Sequence, residues 1–181
     1  GAVNTIHNDA GHLRGYNSDV AGLEGAFHEH IEGMDGASAL LVGNGGAARA
    51  AAVFLRRRGC ILTVSARHEG KGLSFAREQG AEFVPLDSLI GHHYDIIINA
   101  TPVGGLHHQG QLPVPEHLLH TGQLVMDMVY APRRTPLLLA TERCGGVGIP
   151  GLERLLHQAK ESFRIWTGRE PDMDVMRWAV R

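Results

Sequence analysis

The apolar run Ala39-Leu40-Leu41-Val42, the turn Gly43-Asn44-Gly45-Gly46-Ala47-Ala48 and the helix-forming stretch from Ala50 to Arg58 constrain this chain more than any other part of it. An apolar strand that ends in glycines and passes directly into a helix starts a β–α unit, and backbone N–H groups at such a helix N-terminus favour an anion. The order Gly43, Gly45, Ala48 is the G-x-G-x-x-A form of the dinucleotide fingerprint. Its first glycine permits the tight turn, its second lets backbone approach a pyrophosphate, and its alanine lets the helix close on the strand. A purely structural turn can spell the same letters, so the strand before and the helix after carry the inference.

From Ser38 onward, strand-like apolar runs alternate with helical periodicity. Strands are expected at 38–42, 60–65, 82–85, 95–99, 124–128 and near 146–148, and helices at 46–58, 70–79 and 135–144, with a shorter turn near 87–90. This alternation predicts the α/β class, a Rossmann-like doubly wound and mainly parallel sheet covered on both faces. The ends differ. Ala2 to His7 and His12 to Tyr16 flank Asn8-Asp9-Ala10-Gly11 and read as a hairpin, after which Asn17 or Ser18 caps a helix running to about Ile31. Pro150 to Thr167 reads as a helix ended by Gly168, with a last helical turn or two after Pro171. The expected divisions are 1–34, a hairpin and linking helix; 35–149, a nucleotide-binding domain; and 150–181, C-terminal helices. A Rossmann core does not need the two ends, so they are expected to pack against each other or against a second domain.

At 181 residues and 43% hydrophobic composition, the chain can bury one good core but not two full domains. Seventeen basic against 19 acidic residues leave a formal charge of −2. The one basic block, Arg56-Arg57-Arg58, sits where cations complement a helix C-terminus, so no nucleic-acid partner is indicated. Cys60 and Cys144 form neither a disulfide framework nor a zinc spacing, which suits a reducing compartment. With no apolar run near the roughly 18 residues of a membrane span and no signal-peptide pattern, a cytoplasmic chain without membrane partners is expected. Of twelve histidines, the pairs His28/His30, His92/His93 and His107/His108 lack shared helix faces or suitably spaced partners. No metal site is expected.

Cofactor choice is read at the end of the second strand, where NAD would call for an acidic residue. This chain has Thr63-Val64-Ser65-Ala66-Arg67-His68 there. Arg67, with His68 or Lys71 nearby, suits the 2′-phosphate of NADP through charge-assisted hydrogen bonds; a solvated loop arginine is the plain alternative. The stretch Asp95 to Gly105, containing Asn99 and Thr101, pairs an apolar strand with a polar, glycine-bearing end, which fits either a nicotinamide site or a structural turn. Leu124 to Tyr130 repeats the design. Asp127 inside that apolar run needs a partner if buried, so capping and catalysis both stay open for it. The segment 104–115, rich in Gly, His, Gln and Pro, is the longest stretch without expected structure and follows a strand's C-terminal end, the edge where open α/β sheets bind ligands.

Together these motifs resemble the C-terminal part of the shikimate dehydrogenase family, including the quinate/shikimate dehydrogenases. The resemblance rests on Gly1-Ala2-Val3-Asn4-Thr5, Gly15-Tyr16-Asn17-Ser18-Asp19, the Gly43 to Arg49 turn and Asn99-Ala100-Thr101-Pro102-Val103-Gly104. It continues through Asp127 to Pro132, Thr135-Pro136-Leu137-Leu138, Gly151-Leu152 with Gln158, and Phe163 to Gly168, in family order over nearly the whole chain. It implies NADP-linked, reversible reduction of 3-dehydroshikimate to shikimate, a small-molecule substrate. By the same resemblance Asp19 is the catalytic aspartate, and Asn4, Asp19, Tyr130 and Gln158 contact substrate. The cofactor positions it implies are Gly43, Asn44, Gly45, Gly46, Ala47, Ala48, Arg67, Thr101, Met128 and Gly151.

The family's N-terminal substrate domain and its catalytic lysine motif are expected to lie outside these residues, with 1–34 a remnant of that domain and 150–181 returning to it. Only Lys71 and Lys160 occur, and neither stands in that motif. The chain alone is therefore expected to turn over negligibly, and to self-associate through the surface a substrate domain would cover. The alternatives are an NADP(H)-binding module without turnover and a dehydrogenase of quinate or another ketone with a similar plan. Four departures mark the chain: Ser18 for the commoner Thr, Asn44 for Ala, Ser65-Ala66-Arg67 for Asn-Arg-Thr, and Arg154 where the family usually has Met beside the nicotinamide.

Overall fold

The computed structural model describes residues 3–180. Gly1 and Ala2 of the family motif and Arg181 lie outside the described residues. The chain begins with an antiparallel hairpin, β1 (Thr5–Asp9) and β2 (His12–Tyr16), joined through a turn in which Asn8 Oδ1 accepts from the Gly11 N–H at 2.8 Å. Asn17 then caps α1 (Ser18–Ala26), its side chain accepting from the Asp19 N–H at 3.0 Å.

The expected helix to Ile31 stops at Ala26. Phe27 is fully buried and packs at 5.0 Å, ring centre to ring centre, on Phe54, and the chain bends there into a 3-10 turn at His28–His30. Burying an aromatic side chain is worth about 1.5–3 kcal/mol, more than the backbone regularity lost by leaving the helix.

Six parallel strands follow: β3 (Ser38–Val42), β4 (Ile61–Ser65), β5 (Glu82–Phe83), β6 (Ile96–Asn99), β7 (Leu124–Asp127) and β8 (Val147–Pro150), ordered β5-β4-β3-β6-β7-β8. Helices α2 (Gly46–Arg57), α3 (Glu69–Gln79) and α4 (Pro136–Arg143) connect them; α5 (Gly151–Thr167) and α6 (Met173–Ala179) close the chain. Side chains alternate across the sheet, so Ala39, Leu41, Ile96, Ile98 and Met126 enter one core, while Leu40, Val42, Ile97 and Val125 enter the other. Two buried faces explain why these strands read as unbroken apolar runs. β5 ends at Phe83 rather than 85 because Pro85 has no N–H to continue the ladder.

Both ends fold onto this core and onto each other. Leu23 and Phe27 of the α1 region share a core with Leu41 and Phe54, and α5 packs along α1. The Trp166 indole donates to the Ile6 carbonyl at 3.0 Å, pinning the hairpin to α5. Among the described residues no helix is long and apolar enough to cross a membrane.

Candidate active site

The strand order reverses between β3 and β6, since the chain moves outward through β4 and β5 and then returns to the other side. Ligands of open α/β sheets bind in the crevice at the carboxyl ends of such strands. A groove lies there in two halves that share Ala100, Thr101, Pro102 and His108. One half, about 430 Å³, runs from Gly43, Asn44 and Gly45 to Arg67 and His68. The other, about 630 Å³, is bordered by Ala47, Met128, Tyr130, Ala131 and Arg154.

The turn is built as its letters require. Gly43 has φ +120°, and a Cβ there would stand 3.0 Å from the Ala100 carbonyl oxygen, so only glycine lets β3 and β6 end side by side. Gly45 caps α2, and a Cβ on it would meet nothing within 4 Å, which leaves an open cradle at the helix N-terminus. Gly46 is exposed at the first turn of α2, Ala47 borders the second half of the groove, and Ala48 is buried beneath. Arg67 and His68 are exposed at the far end of the first half, 3.3 Å apart, with no carboxylate among the lining residues. A dinucleotide carrying a 2′-phosphate fits this donor set.

Asp127 has the partners its burial demands. It is fully buried and accepts from the Thr135 hydroxyl at 2.6 Å, the Val129 N–H at 3.0 Å and the Asn99 amide at 2.9 Å. Asn99 in turn accepts from the Thr101 N–H and hydroxyl at 3.0 and 2.7 Å, fixing the Thr101 turn that separates the halves of the groove. The carboxylate is thus a tie between the ends of β6, β7 and α4, away from the groove's lining.

Burial holds the Asp127 carboxyl above its ordinary range, against the opposing pull of Thr135, Val129 and Asn99. A raised folded-state value means the stability it contributes is complete below the unfolded value of 3.8 and is lost as pH rises through the folded value. The unfolding free energy of the protein relative to D127N should accordingly fall as pH rises from 3.8 toward neutrality. Chemical denaturation at several pH values measures this, and a difference that grows with pH would refute it.

The remaining site residues gather at the seam between hairpin, α1 and α5. The hydroxyls of Thr5, Ser18 and Ser162 form a buried triangle with edges of 2.9, 2.9 and 3.0 Å. Asn4 Oδ1 accepts from the Ser18 N–H at 2.9 Å, and the Gln158 amide donates to Ser18 Oγ at 3.1 Å. Asn4, Asp19 and Gln158, drawn from three separate segments, are thereby set around one residue. Asp19 pairs with Arg154 of α5, whose Nη1 donates to Asp19 Oδ1 at 2.6 Å.

Tyr130 stands apart, half-exposed on the groove wall beside Met128. Gly151 borders neither half. It is buried where α5 starts, and a Cβ there would lie 2.6 Å from the Asp127 carbonyl oxygen. Thr5 and Thr135 stand inside the family motifs, but those motifs do not name their partners, and Ser162 carries no signal: Thr5 meets Ser162 157 residues away, and Thr135 meets Asp127 past the end of β7. Lys71 is exposed on α3, and Lys160 pairs with Glu170 at 3.2 Å. Among the described residues no cluster of three or more His, Cys, Asp or Glu is placed to hold a metal ion.

Comparison with known proteins matches residues 151–181 to the family model described as Shikimate 5'-dehydrogenase C-terminal domain. Shikimate dehydrogenase (NADP(+)) of Methanothermobacter thermautotrophicus is 39% identical over 191 residues, covering 100% of this chain and 67% of that protein. Among solved structures, a shikimate dehydrogenase in complex with NADP+ superposes with a TM-score of 0.91 at 35% identity, covering 99% of this chain and 66% of the other. The Thermus thermophilus enzyme in complex with NADP(H) and shikimate gives 0.88 at 35% identity, over 99% and 67%. The chain therefore spans about two thirds of the length of these relatives.

Proposed function

The chain belongs to the shikimate dehydrogenase family, and from that premise we propose that it takes part in the NADP-dependent, reversible reduction of 3-dehydroshikimate to shikimate. The observation that carries this is the two-part groove at the strand-order reversal, with an open glycine cradle at its middle and Arg67 at one end. When bound, the nicotinamide cofactor supplies a hydride to the ring ketone or takes one back.

The chain's own residues bind and orient. Gly43, Asn44 and Gly45 present backbone to the pyrophosphate, and Arg67 meets the 2′-phosphate with a rigid fork of N–H donors. Thr101, held by Asn99, stands between the halves, and Met128 lines the second. Asn4, Asp19 and Gln158 at the seam and Tyr130 on the wall are the groups assigned to the substrate.

An arginine guanidinium does not pass a proton, so within the Asp19–Arg154 pair only the carboxylate can serve proton transfer at the substrate oxygen. In this reading a substrate domain seats against the face where Ile6, Leu13, Phe163 and Trp166 stand exposed.

Calorimetric titration with NADPH and NADH tests the cofactor half. NADPH should bind in preference to NADH. R67A should weaken NADPH by roughly ten- to a hundredfold while leaving NADH unchanged, the worth of one or two lost charge-assisted hydrogen bonds. Equal loss of both nucleotides would remove Arg67 from the 2′-phosphate, and no binding of either to the folded protein would remove the function.

A further inference from the structure

Arg154 has no part in the cofactor fingerprint, yet its position is unusual. Its side chain is only 12% exposed and that of Asp19 20%. The guanidinium spends one N–H on Asp19 at 2.6 Å, while its Nε is buried with no protein partner. Arg154 borders the second half of the groove and Asp19 does not, so of this ion pair the groove meets the positive member.

A dinucleotide whose adenosine end lies by Arg67 and His68 crosses the turn between β3 and β6 and extends its other end over β6 and β7. That is the half bordered by Met128, Tyr130 and Arg154.

We propose that Arg154, with Asp19 behind it, is a charge-positioning pair that sets the protein's preference between the oxidised and reduced cofactor. This rests on the cofactor assignment above. The nicotinamide ring is cationic when oxidised and neutral when reduced, so a fixed cation on the wall disfavours the oxidised form selectively. Asp19 tempers that effect, and the low exposure of both side chains limits screening by solvent. Unit charges several ångströms apart in a partly screened cleft change affinity by roughly three- to tenfold. The pair therefore biases the bound couple toward NADPH without touching the adenosine end.

The test is the ratio of NADP+ to NADPH dissociation constants, by calorimetry or by quenching of tryptophan fluorescence, for the 181-residue protein and its variants. R154M should lower the ratio by roughly three- to tenfold, and D19N, which leaves the arginine uncompensated, should raise it by a smaller factor, because Asp19 stands behind the arginine and outside the groove. R154K keeps the charge and should hold the ratio near that of the unaltered protein, and the R154M/D19N double variant, which lacks both charges, should fall between R154M and the unaltered protein. Adenosine 2′,5′-bisphosphate, which lacks the nicotinamide, should bind all of them equally and reports that each is folded.

A purely structural role would move R154M and D19N in the same direction, and that result overturns the proposal. So does an unchanged ratio in variants that still bind the bisphosphate, in which case the cofactor assignment survives. If the unaltered protein binds neither nicotinamide nucleotide, the assignment fails and this proposal with it. Should R154M not fold, D19N decides the matter alone: a raised ratio with unchanged binding of the bisphosphate supports the proposal, and an unchanged or lowered ratio overturns it.

Discussion

Replacing Gly45 with threonine should abolish high-affinity NADPH binding while leaving the melting temperature where it is. The two effects separate because the position faces outward. Gly45 is the N-cap of α2 in extended backbone, φ −87° and ψ −168°, a conformation that suits any residue. A Cβ added there meets nothing within 4 Å. Threonine and glycine rank alike as N-caps, so folding should change by less than about 0.5 kcal/mol. In the complex, the same space is where backbone N–H groups meet a pyrophosphate. Filling it forfeits at least two charge-assisted hydrogen bonds worth about 1.5–3 kcal/mol each, a loss of roughly a hundredfold or more in affinity. Gly43 gives the contrast: with its φ of +120° and the Ala100 carbonyl oxygen 3.0 Å from where a Cβ would stand, G43A should damage stability as well. Calorimetry alongside thermal denaturation reads both quantities. Tight NADPH binding by G45T would show that the cofactor does not cross this turn.

That turn was legible in the sequence because its physics is local. Strand, glycines and helix lie within about twenty consecutive residues, and each letter answers to a backbone requirement met on the spot. The same holds for Asn17 as the α1 cap, for the unbroken apolar runs of a sheet buried on both faces, and for Arg67 at the end of β4. The need for a partner at Asp127 was legible, but the identity of Thr135 as that partner was not. What escaped is what depends on tertiary meeting. The Thr5–Ser18–Ser162 triangle closes over sequence separations of 144 and 157, and no periodicity links a hydroxyl in a hairpin to one in the last long helix. Arg154 stood out as a substitution, but its meaning came only from the fold, which carries it 135 residues back to Asp19. Phe27 likewise ends α1 through burial against Phe54, a contact that no local pattern announces.

The substitution Gly22→Ala should destabilise the protein, whereas the same change at Gly70 should stabilise it, and the comparison isolates how the site is held together. Gly70 lies in α3 with open space around a would-be Cβ, so alanine there gains only the helical preference over glycine, about 0.5–1 kcal/mol. Gly22 lies in α1 against α5, where a Cβ would stand 2.7 Å from the Arg154 carbonyl oxygen and 2.9 Å from Gln158 Cβ. A main-chain oxygen cannot rotate aside, so the two helices must separate. Overpacking of this kind costs about 1–3 kcal/mol, which in a domain of this size lowers the melting midpoint by roughly 2–12 °C. The separation falls on the seam that joins Asp19 to Arg154 at 2.6 Å and Ser18 to Gln158 at 3.1 Å. The damage should therefore be directional: binding of adenosine 2′,5′-bisphosphate, which depends on β3, β4 and Arg67, stays unchanged, while the preference between NADP+ and NADPH shifts. Thermal denaturation of G22A and G70A side by side is decisive, because a G22A protein melting at or above the unaltered one would mean that α1 and α5 are not locked at this contact, and the substrate-facing residues would then owe their placement to the hydroxyl triangle alone.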